Sequence, residues 1–154
     1  MADVESLRIK LGLTDAPIVR AGLAATEEFF RTTLRQDAAS WISYLRGIDF
    51  HRPVRSEWLQ RGTPLIRYES TGTRTLKPFL YFTRPGTSPN SLGTSFPSVE
   101  YKQFEVDRSV RALVSTASGI SFAPDDRVNR VGGGVQYIIA FGDAPALVRT
   151  GMRR

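Results

Sequence analysis

The spacing of apolar positions divides the chain into two parts near residue 50. Before that point, apolar residues recur every three or four positions, which is the period of one helix face. The residues with this spacing are Phe29, Phe30, Leu34, Ala38, Trp41, Ile42 and Leu45. Thr14 and Thr26 are candidate N-caps, and Pro17 suits a first helical turn. The pattern predicts a helical N-terminal segment over residues 1–52, which acts as a linker or support for the part that follows or, alternatively, as an arm that docks a partner.

Beyond residue 60, short runs of strand-forming residues alternate with segments rich in Gly, Pro, Ser, Thr and Asn. The predicted strands are 64–68, 79–83, 101–106, 112–116 and 135–141. We expect the long polar segment 84–98 to be a functional or mobile loop, and 143–151 to add a short helix. The whole pattern predicts an α+β fold, in which N-terminal helices precede a small, mainly antiparallel β-rich body over residues 53–154.

Composition restricts the chemistry that the chain can perform. A chain of 154 residues that is 41% hydrophobic fits one globular domain, and its net charge of +6 favours anionic partners. Cysteine is absent and His51 is the single histidine, so thiol chemistry is excluded and we expect no metal and no cofactor. There is no signal peptide in the sequence and no apolar run of membrane-spanning length, so we expect no membrane partner.

Familiar catalytic and nucleotide-binding motifs are also missing from the sequence. His51 has no G-x-S-x-G serine elbow to accompany it, and there is no Walker loop. The glycines at 132–134 precede a predicted strand, whereas a dinucleotide fingerprint follows a strand and opens a helix. Two interpretations of these glycines stay open: a ligand approaches bare backbone, with Gln136 entering beside it, or the glycines form a tight turn.

Arg67 is the second feature that asks for an explanation. It lies on a predicted strand that otherwise reads as buried, in the segment GTPLIRYES. A buried guanidinium needs an anion, and its planar fork suits a diphosphate. A neighbouring carboxylate such as Glu69 would satisfy it equally well.

Six segments together resemble the tuberculosis necrotizing toxin-like family of NAD glycohydrolase domains. In chain order they are RGTPLIRYES, KPFLYFTRPGTSP, YKQFEV, SFAP, GGGVQY and ALVRTG, which cover roughly residues 58–151. The resemblance implies a toxin domain of a polymorphic or type VI secretion effector, on a fold related to ADP-ribosyltransferase toxins. It implies cleavage of NAD+ or NADP+ to nicotinamide and ADP-ribose in the target-cell cytoplasm, and neutralisation by a cognate immunity protein, which we expect to be acidic.

The same resemblance assigns roles to particular residues. Arg67 matches the phosphate-binding arginine of the family, and Gln136 matches its essential glutamine in the nicotinamide-ribose pocket. The substrate-binding residues that it implies are Tyr68, Phe79, Tyr81, Thr83, Lys102, Gly133 and Gly134. Lys102 departs from the family's prototype, which has a histidine at this point, so any catalytic duty of that histidine is in doubt here.

A carboxylate that stabilises the transition state is not identified by any motif. Glu105 is the leading candidate, and the others are Asp125 and Asp126. Gln103 and Glu105 also form a Q-x-E triplet like that of ADP-ribosyltransferases, with Ser95 as a matching serine element. A transferase ranks second, because Ser95 lies only eight residues before the triplet and the glycines at 132–134 stay unexplained. A nucleic-acid-binding or ribonuclease toxin ranks third, because the basic residues are scattered.

Overall fold

The structure is a computed structural model that describes residues 3–69, 78–87, 100–118 and 132–153. Within these ranges the chain is α+β, with helices first and a seven-stranded antiparallel sheet after them. The predicted fold class is therefore confirmed. Most of the predicted loop 84–98, the SFAP motif at 121–124, and the candidate residues Ser95, Asp125 and Asp126 lie outside the described residues.

The N-terminal segment consists of several short helical pieces. These are α1 (Val4–Leu11), α2 (Pro17–Phe29), a π-helical turn (Phe30–Leu34), a 3₁₀ turn (Ala38–Trp41) and α3 (Ile42–Leu45). The break after the π-helical turn comes at Arg35, which has a left-handed backbone with φ 57. The apolar spacing therefore predicted the helical segment correctly. It did not predict the break, which comes at the left-handed residue Arg35.

The two predicted N-caps are wrong for different reasons. Ala16 occupies the N-cap of α2 because Pro17 takes the first helical position, so Thr14 lies outside the helix. Thr26 is inside α2, where its buried hydroxyl donates a hydrogen bond to the Gly22 carbonyl at 2.8 Å. A threonine in a helix interior commonly satisfies its hydroxyl in this way, so Thr26 continues α2 instead of starting a new helix.

In the ranges that the structure describes, seven strands follow the helices. They are β1 (Arg55–Leu59), β2 (Pro64–Glu69), β3 (Phe79–Thr83), β4 (Glu100–Val106), β5 (Val110–Thr116), β6 (Val135–Ala140) and β7 (Leu147–Arg153). The five predicted strands are confirmed to within two residues at each end. The helix predicted at 143–151 is wrong: a 3₁₀ turn (Phe141–Ala146) containing Pro145 leads directly into β7. Strands β1 and β7 were not predicted.

The strands form two well-paired groups that meet at one residue pair. The order across the sheet is β1-β5-β6-β3-β2-β4-β7, and every pairing is antiparallel. Between β3 and β2, however, the only described pair is Ile66 with Thr83. We call this single-pair contact the β2–β3 junction.

The sheet has a different core on each face. On the helix face, Phe79, Leu113 and Ile138 pack against buried residues of the N-terminal segment. On the other face, Leu65 and Val106 from one strand group share a cluster with Val114 and Ile139 from the other group. Residues of both strand groups thus share one apolar cluster on this side of the sheet, and we use the name concave face for this side. The helices and the sheet therefore share one core, in which the N-terminal segment packs directly on the sheet.

Candidate active site

Two cationic side chains lie opposite each other on the concave face. Arg67 is two residues from Leu65 on β2, so both side chains point to the same side of the sheet. The register pairs Arg67 directly with Lys102 on β4, and both side chains are half-buried. Two cations at directly opposite positions can both contact one anion, and a guanidinium binds such a group through two parallel hydrogen bonds.

A third cation, Arg84, belongs to the same region. Its Nε donates a hydrogen bond to the Tyr137 hydroxyl at 2.9 Å, and this bond raises the pKa of Arg84 above its usual value. Tyr137 pairs with Phe82 on the concave face, and the antiparallel register puts Arg67 beside Phe82. We call Arg67, Arg84 and Lys102 the basic cluster. Sequence reasoning missed Arg84, although its place directly after a strand of predicted site residues was a signal.

Gln136 lies in a row of buried polar side chains on the helix face. The register aligns it with Thr83 on β3 and Ser115 on β5, and the three residues are exposed by only 6%, 1% and 2%. Gln136 Nε2 donates a hydrogen bond to the Gly47 carbonyl at 3.3 Å, while Thr83 Oγ1 donates to the Val135 carbonyl at 2.5 Å. We call Thr83, Gln136 and Ser115 the buried polar row.

Arg67 and Gln136 therefore lie on opposite faces of the sheet. Thr83 pairs with both Gln136 and Ile66, so these three residues share the helix face, and Arg67, which follows Ile66, points the other way. If Arg67 and Gln136 bind the two ends of one dinucleotide, as the family resemblance implies, their side chains are expected to enter one cleft, and this register corrects that expectation. Both nevertheless lie at the β2–β3 junction, with their Cα atoms about 10 Å apart across two strand spacings.

The predicted aromatic residues differ in their placement. Phe79 is 0% exposed, and its ring packs edge-on against those of Phe30, Trp41, Tyr44 and Tyr81 at centroid distances of 5.5–5.7 Å. A fully buried ring has no surface left for a ligand, so Phe79 is a core residue here and not the wall of an open cleft.

Tyr81 is the better placed of the predicted aromatic residues. It is half-buried on the helix face, two residues from Thr83 on β3. Burial, with a smaller contribution from Tyr44, raises the pKa of the Tyr81 hydroxyl above its usual value, so the hydroxyl is protonated at neutral pH. Tyr68 lies on β2 opposite Tyr101, and its side chain is outside the described residues.

Backbone conformation accounts for part of the three-glycine segment. Gly132 and Gly133 have φ values of 76 and 91, a region that side chains other than glycine's rarely adopt. The Gly133 N–H donates to the Ala117 carbonyl, and the Ala117 N–H donates to the Gly134 carbonyl, both at 2.8 Å. The glycines thus extend the pairing of β5 with β6. No described residue outside the glycine's own chain neighbours lies within 4 Å of the position that a Cβ of Gly133 would take.

The structure separates the candidate carboxylate from Gln136. Glu105 is exposed on β4, which is three strands away from β6 in the sheet order, or about 14 Å at the usual strand spacing. His51 is exposed and its backbone N–H donates to Asp49. Across the described ranges, no group of three or more His, Cys, Asp or Glu residues is arranged to hold a metal ion. None of the helices in those ranges is long and apolar enough to cross a membrane.

Comparison with known proteins identifies the class of the chain. The chain matches the bacterial toxin 46 family (Ntox46) over residues 12–119. The chain belongs to this family. The match begins within the helical segment and continues into the sheet, and it confirms that the chain is a bacterial toxin domain, as the sequence motifs indicated.

One curated relative and its solved structure agree with this assignment. The NAD(P)(+) glycohydrolase toxin Tse6 of Pseudomonas aeruginosa is 33% identical over 90 residues, which are 53% of this chain and 21% of Tse6. The chain therefore spans about a fifth of that relative's length. The solved structure of Tse6 in complex with Tsi6 has a TM-score of 0.65 at 26% identity, covering 88% of this chain and 98% of its counterpart. Rhs1-CT in complex with its cognate immunity protein RhsI1 reaches a TM-score of only 0.44 at 15% identity.

Proposed function

We propose that the chain is the NADase domain of a toxin, which hydrolyses the bond between nicotinamide and ribose in NAD+ or NADP+. The observation that carries this proposal is the likeness to the Tse6 structure, at a TM-score of 0.65 over 88% of the chain. The products would be nicotinamide and ADP-ribose or its phosphate.

The chemistry explains why paired acidic residues are not required. Most glycosidases hold two carboxylates around the scissile bond, because the leaving group needs a proton. Nicotinamide leaves a pyridinium as a neutral molecule, so no proton has to be delivered. The reaction instead needs an anchored diphosphate and groups that hold the ribose and water as positive charge develops on the sugar. As proposed, it uses no metal and no further cofactor.

The basic cluster is the proposed diphosphate site. Arg67 supplies a planar fork that binds two oxygens at once, and Lys102 supplies a point charge directly opposite it. Arg84 is held in the same region by its hydrogen bond to Tyr137. Because Arg67 and Lys102 are half-buried, their attraction to an anion is screened less than it would be at an exposed surface.

The β2–β3 junction is the proposed route between the two faces. Only Ile66 and Thr83 pair there among the described residues, so a ligand can pass beside this pair without breaking a longer ladder. We propose that the diphosphate stays on the concave face and that the nicotinamide riboside reaches Gln136 on the helix face. Tyr81, half-buried on that face, is the aromatic side chain proposed to stack on nicotinamide.

A neutralising partner and delivery into a target cell complete the proposal. Tse6 was solved in complex with Tsi6, and this chain has a net charge of +6. We propose that the chain is translocated as part of an effector, by a type VI or related system, and acts in the cytoplasm of the target cell. In the producing cell, an acidic immunity protein would cover the basic cluster.

The proposal is tested by incubating the purified chain with NAD+ and, separately, NADP+, and by measuring nicotinamide by chromatography. We expect equal amounts of nicotinamide and ADP-ribose. If the NAD+ carries a label on its ADP-ribose part, label that stays attached to a protein would indicate the transferase instead. RNA binding without turnover of NAD+ would indicate the nucleic-acid alternative.

Substitutions then test the two proposed subsites. Arg67→Met should raise KM by about 10- to 100-fold, the worth of a hydrogen bond to a charged group, whereas Arg61→Met at an exposed position should change nothing. Gln136→Ala should lower kcat. If Gln136→Ala folds normally and leaves turnover unchanged, the assignment of Gln136 is wrong even where the activity is right.

A further inference from the structure

One hydroxyl of the buried polar row has no hydrogen-bond partner among the described residues. Ser115 is 2% exposed, and its Oγ is buried without a partner in the part of the chain that the structure describes. Proteins satisfy the large majority of their buried polar atoms, because an unsatisfied one costs stability. Alanine at this position would avoid that cost. Packing in the free protein therefore does not explain why the residue is a serine, and a role in the bound state would.

The position of Ser115 relative to Gln136 indicates that purpose. The two residues are directly opposite each other on β5 and β6, and both side chains are on the helix face. Directly opposite residues of an antiparallel pair have Cβ atoms about 4.5–5.5 Å apart, so a rotation of either side chain brings Ser115 Oγ within reach of the Gln136 amide.

The Gln136 amide is held only weakly in the free protein. Its hydrogen bond to the Gly47 carbonyl is 3.3 Å long, beyond the usual 2.7–3.2 Å for such a bond. A glutamine amide offers two N–H donors and an oxygen that accepts twice. A hydroxyl that donates to Gln136 Oε1 would fix the direction of the amide and leave an Nε2 hydrogen for a ligand.

We propose that Ser115 is a positioning residue for Gln136, and this inference rests on the proposed NADase function. When the nicotinamide riboside engages Gln136, the Ser115 hydroxyl donates a hydrogen bond to Gln136 Oε1. The amide then directs Nε2 toward the ribose. The hydroxyl has no partner among the described residues of the free protein and gains one in the complex, so substrate binding removes the cost of burying it unpaired.

Two substitutions at Ser115 separate positioning from packing. Ser115→Ala removes an unsatisfied hydroxyl, so we expect the melting midpoint to rise by roughly 2 °C or more. At the same time kcat should fall about tenfold, which corresponds to one hydrogen bond, with KM changed by less than about twofold. Ser115→Thr keeps the hydroxyl and adds a methyl group to a buried site, so it should lower the melting midpoint and keep most of kcat.

The matched control is Thr116→Val, which removes a hydroxyl from the next residue of β5, on the opposite face, and should leave kcat unchanged. The inference is overturned if Ser115→Ala keeps full kcat, or if kcat follows the melting midpoint in both Ser115 variants. If the wild-type chain consumes NAD+ in the same assay, either result overturns the Ser115 inference alone and leaves the proposed function standing. A wild-type chain that does not consume NAD+ overturns the proposed function, and the Ser115 inference with it.

Discussion

Phe79→Leu tests whether Phe79 is a core residue, as the structure has it, or a wall of the substrate site, as the sequence suggested. The ring is 0% exposed, and its described edge-on contacts are with the rings of Phe30, Trp41, Tyr44 and Tyr81. Two of these partners belong to the 3₁₀ turn and α3, so Phe79 joins the N-terminal segment to β3.

The expected loss of stability follows from these contacts. Complete removal of a buried Phe side chain costs about 3–5 kcal/mol, while a volume-conserving apolar swap costs less than about 1.5 kcal/mol. Leucine keeps most of the apolar burial but loses four edge-on ring pairs, each worth about 0.5–1.5 kcal/mol and not fully additive. We therefore expect Phe79→Leu to lower the free energy of unfolding by about 2–3 kcal/mol, which leaves a typical domain folded.

Urea unfolding measures this loss, because the Trp41 ring lies 5.5 Å from that of Phe79 and reports on its surroundings by fluorescence. Phe82→Leu is the matched control: Phe82 is also buried, but it has one described ring contact, with Phe104 at 5.4 Å, so its loss should be nearer 1 kcal/mol. The core interpretation is refuted if Phe79→Leu costs no more than Phe82→Leu, or if it raises KM for NAD+ about tenfold at unchanged stability.

Two further predictions concern backbone strain and pH. Gly133→Ala should destabilise the chain by about 1–2 kcal/mol through its φ of 91, whereas Gly142→Ala, which has equally open surroundings and no positive φ, should be nearly neutral in the same urea titration. Hydrogen bonds from Arg8 and then Arg20 lower the pKa of Glu5 from its usual 4.5 to about 2. Because this pKa is depressed, the stabilisation is complete above about pH 4.5 and is lost as the pH falls toward 2. Glu5→Gln should therefore differ from the wild type at pH 6 and converge with it near pH 2, and a constant difference across that range would contradict the assignment.

The faces of the strands show which part of the site can be predicted from sequence and which part cannot. Period-two alternation correctly indicated that Arg67 shares a face with Leu65, because alternation is a local property of a strand. Alternation does not say which face of one strand matches which face of another. That depends on which residues pair, and Thr83 is the residue whose pairing with Gln136 and Ile66 separates Arg67 from Gln136.

The chain's own pattern of residues determined the helix-then-sheet order, five of the seven strands, the absence of thiol chemistry and the toxin family, since these follow from local periodicity, composition and motif. Only the tertiary structure decided that β1 and β7 complete the sheet, that Arg84 joins the basic cluster through Tyr137, and that Ser115 faces Gln136. Each of these depends on contacts between residues more than 20 positions apart in the chain. Strand order and register are set by the packing of both faces of the sheet at once, and no short segment carries that information.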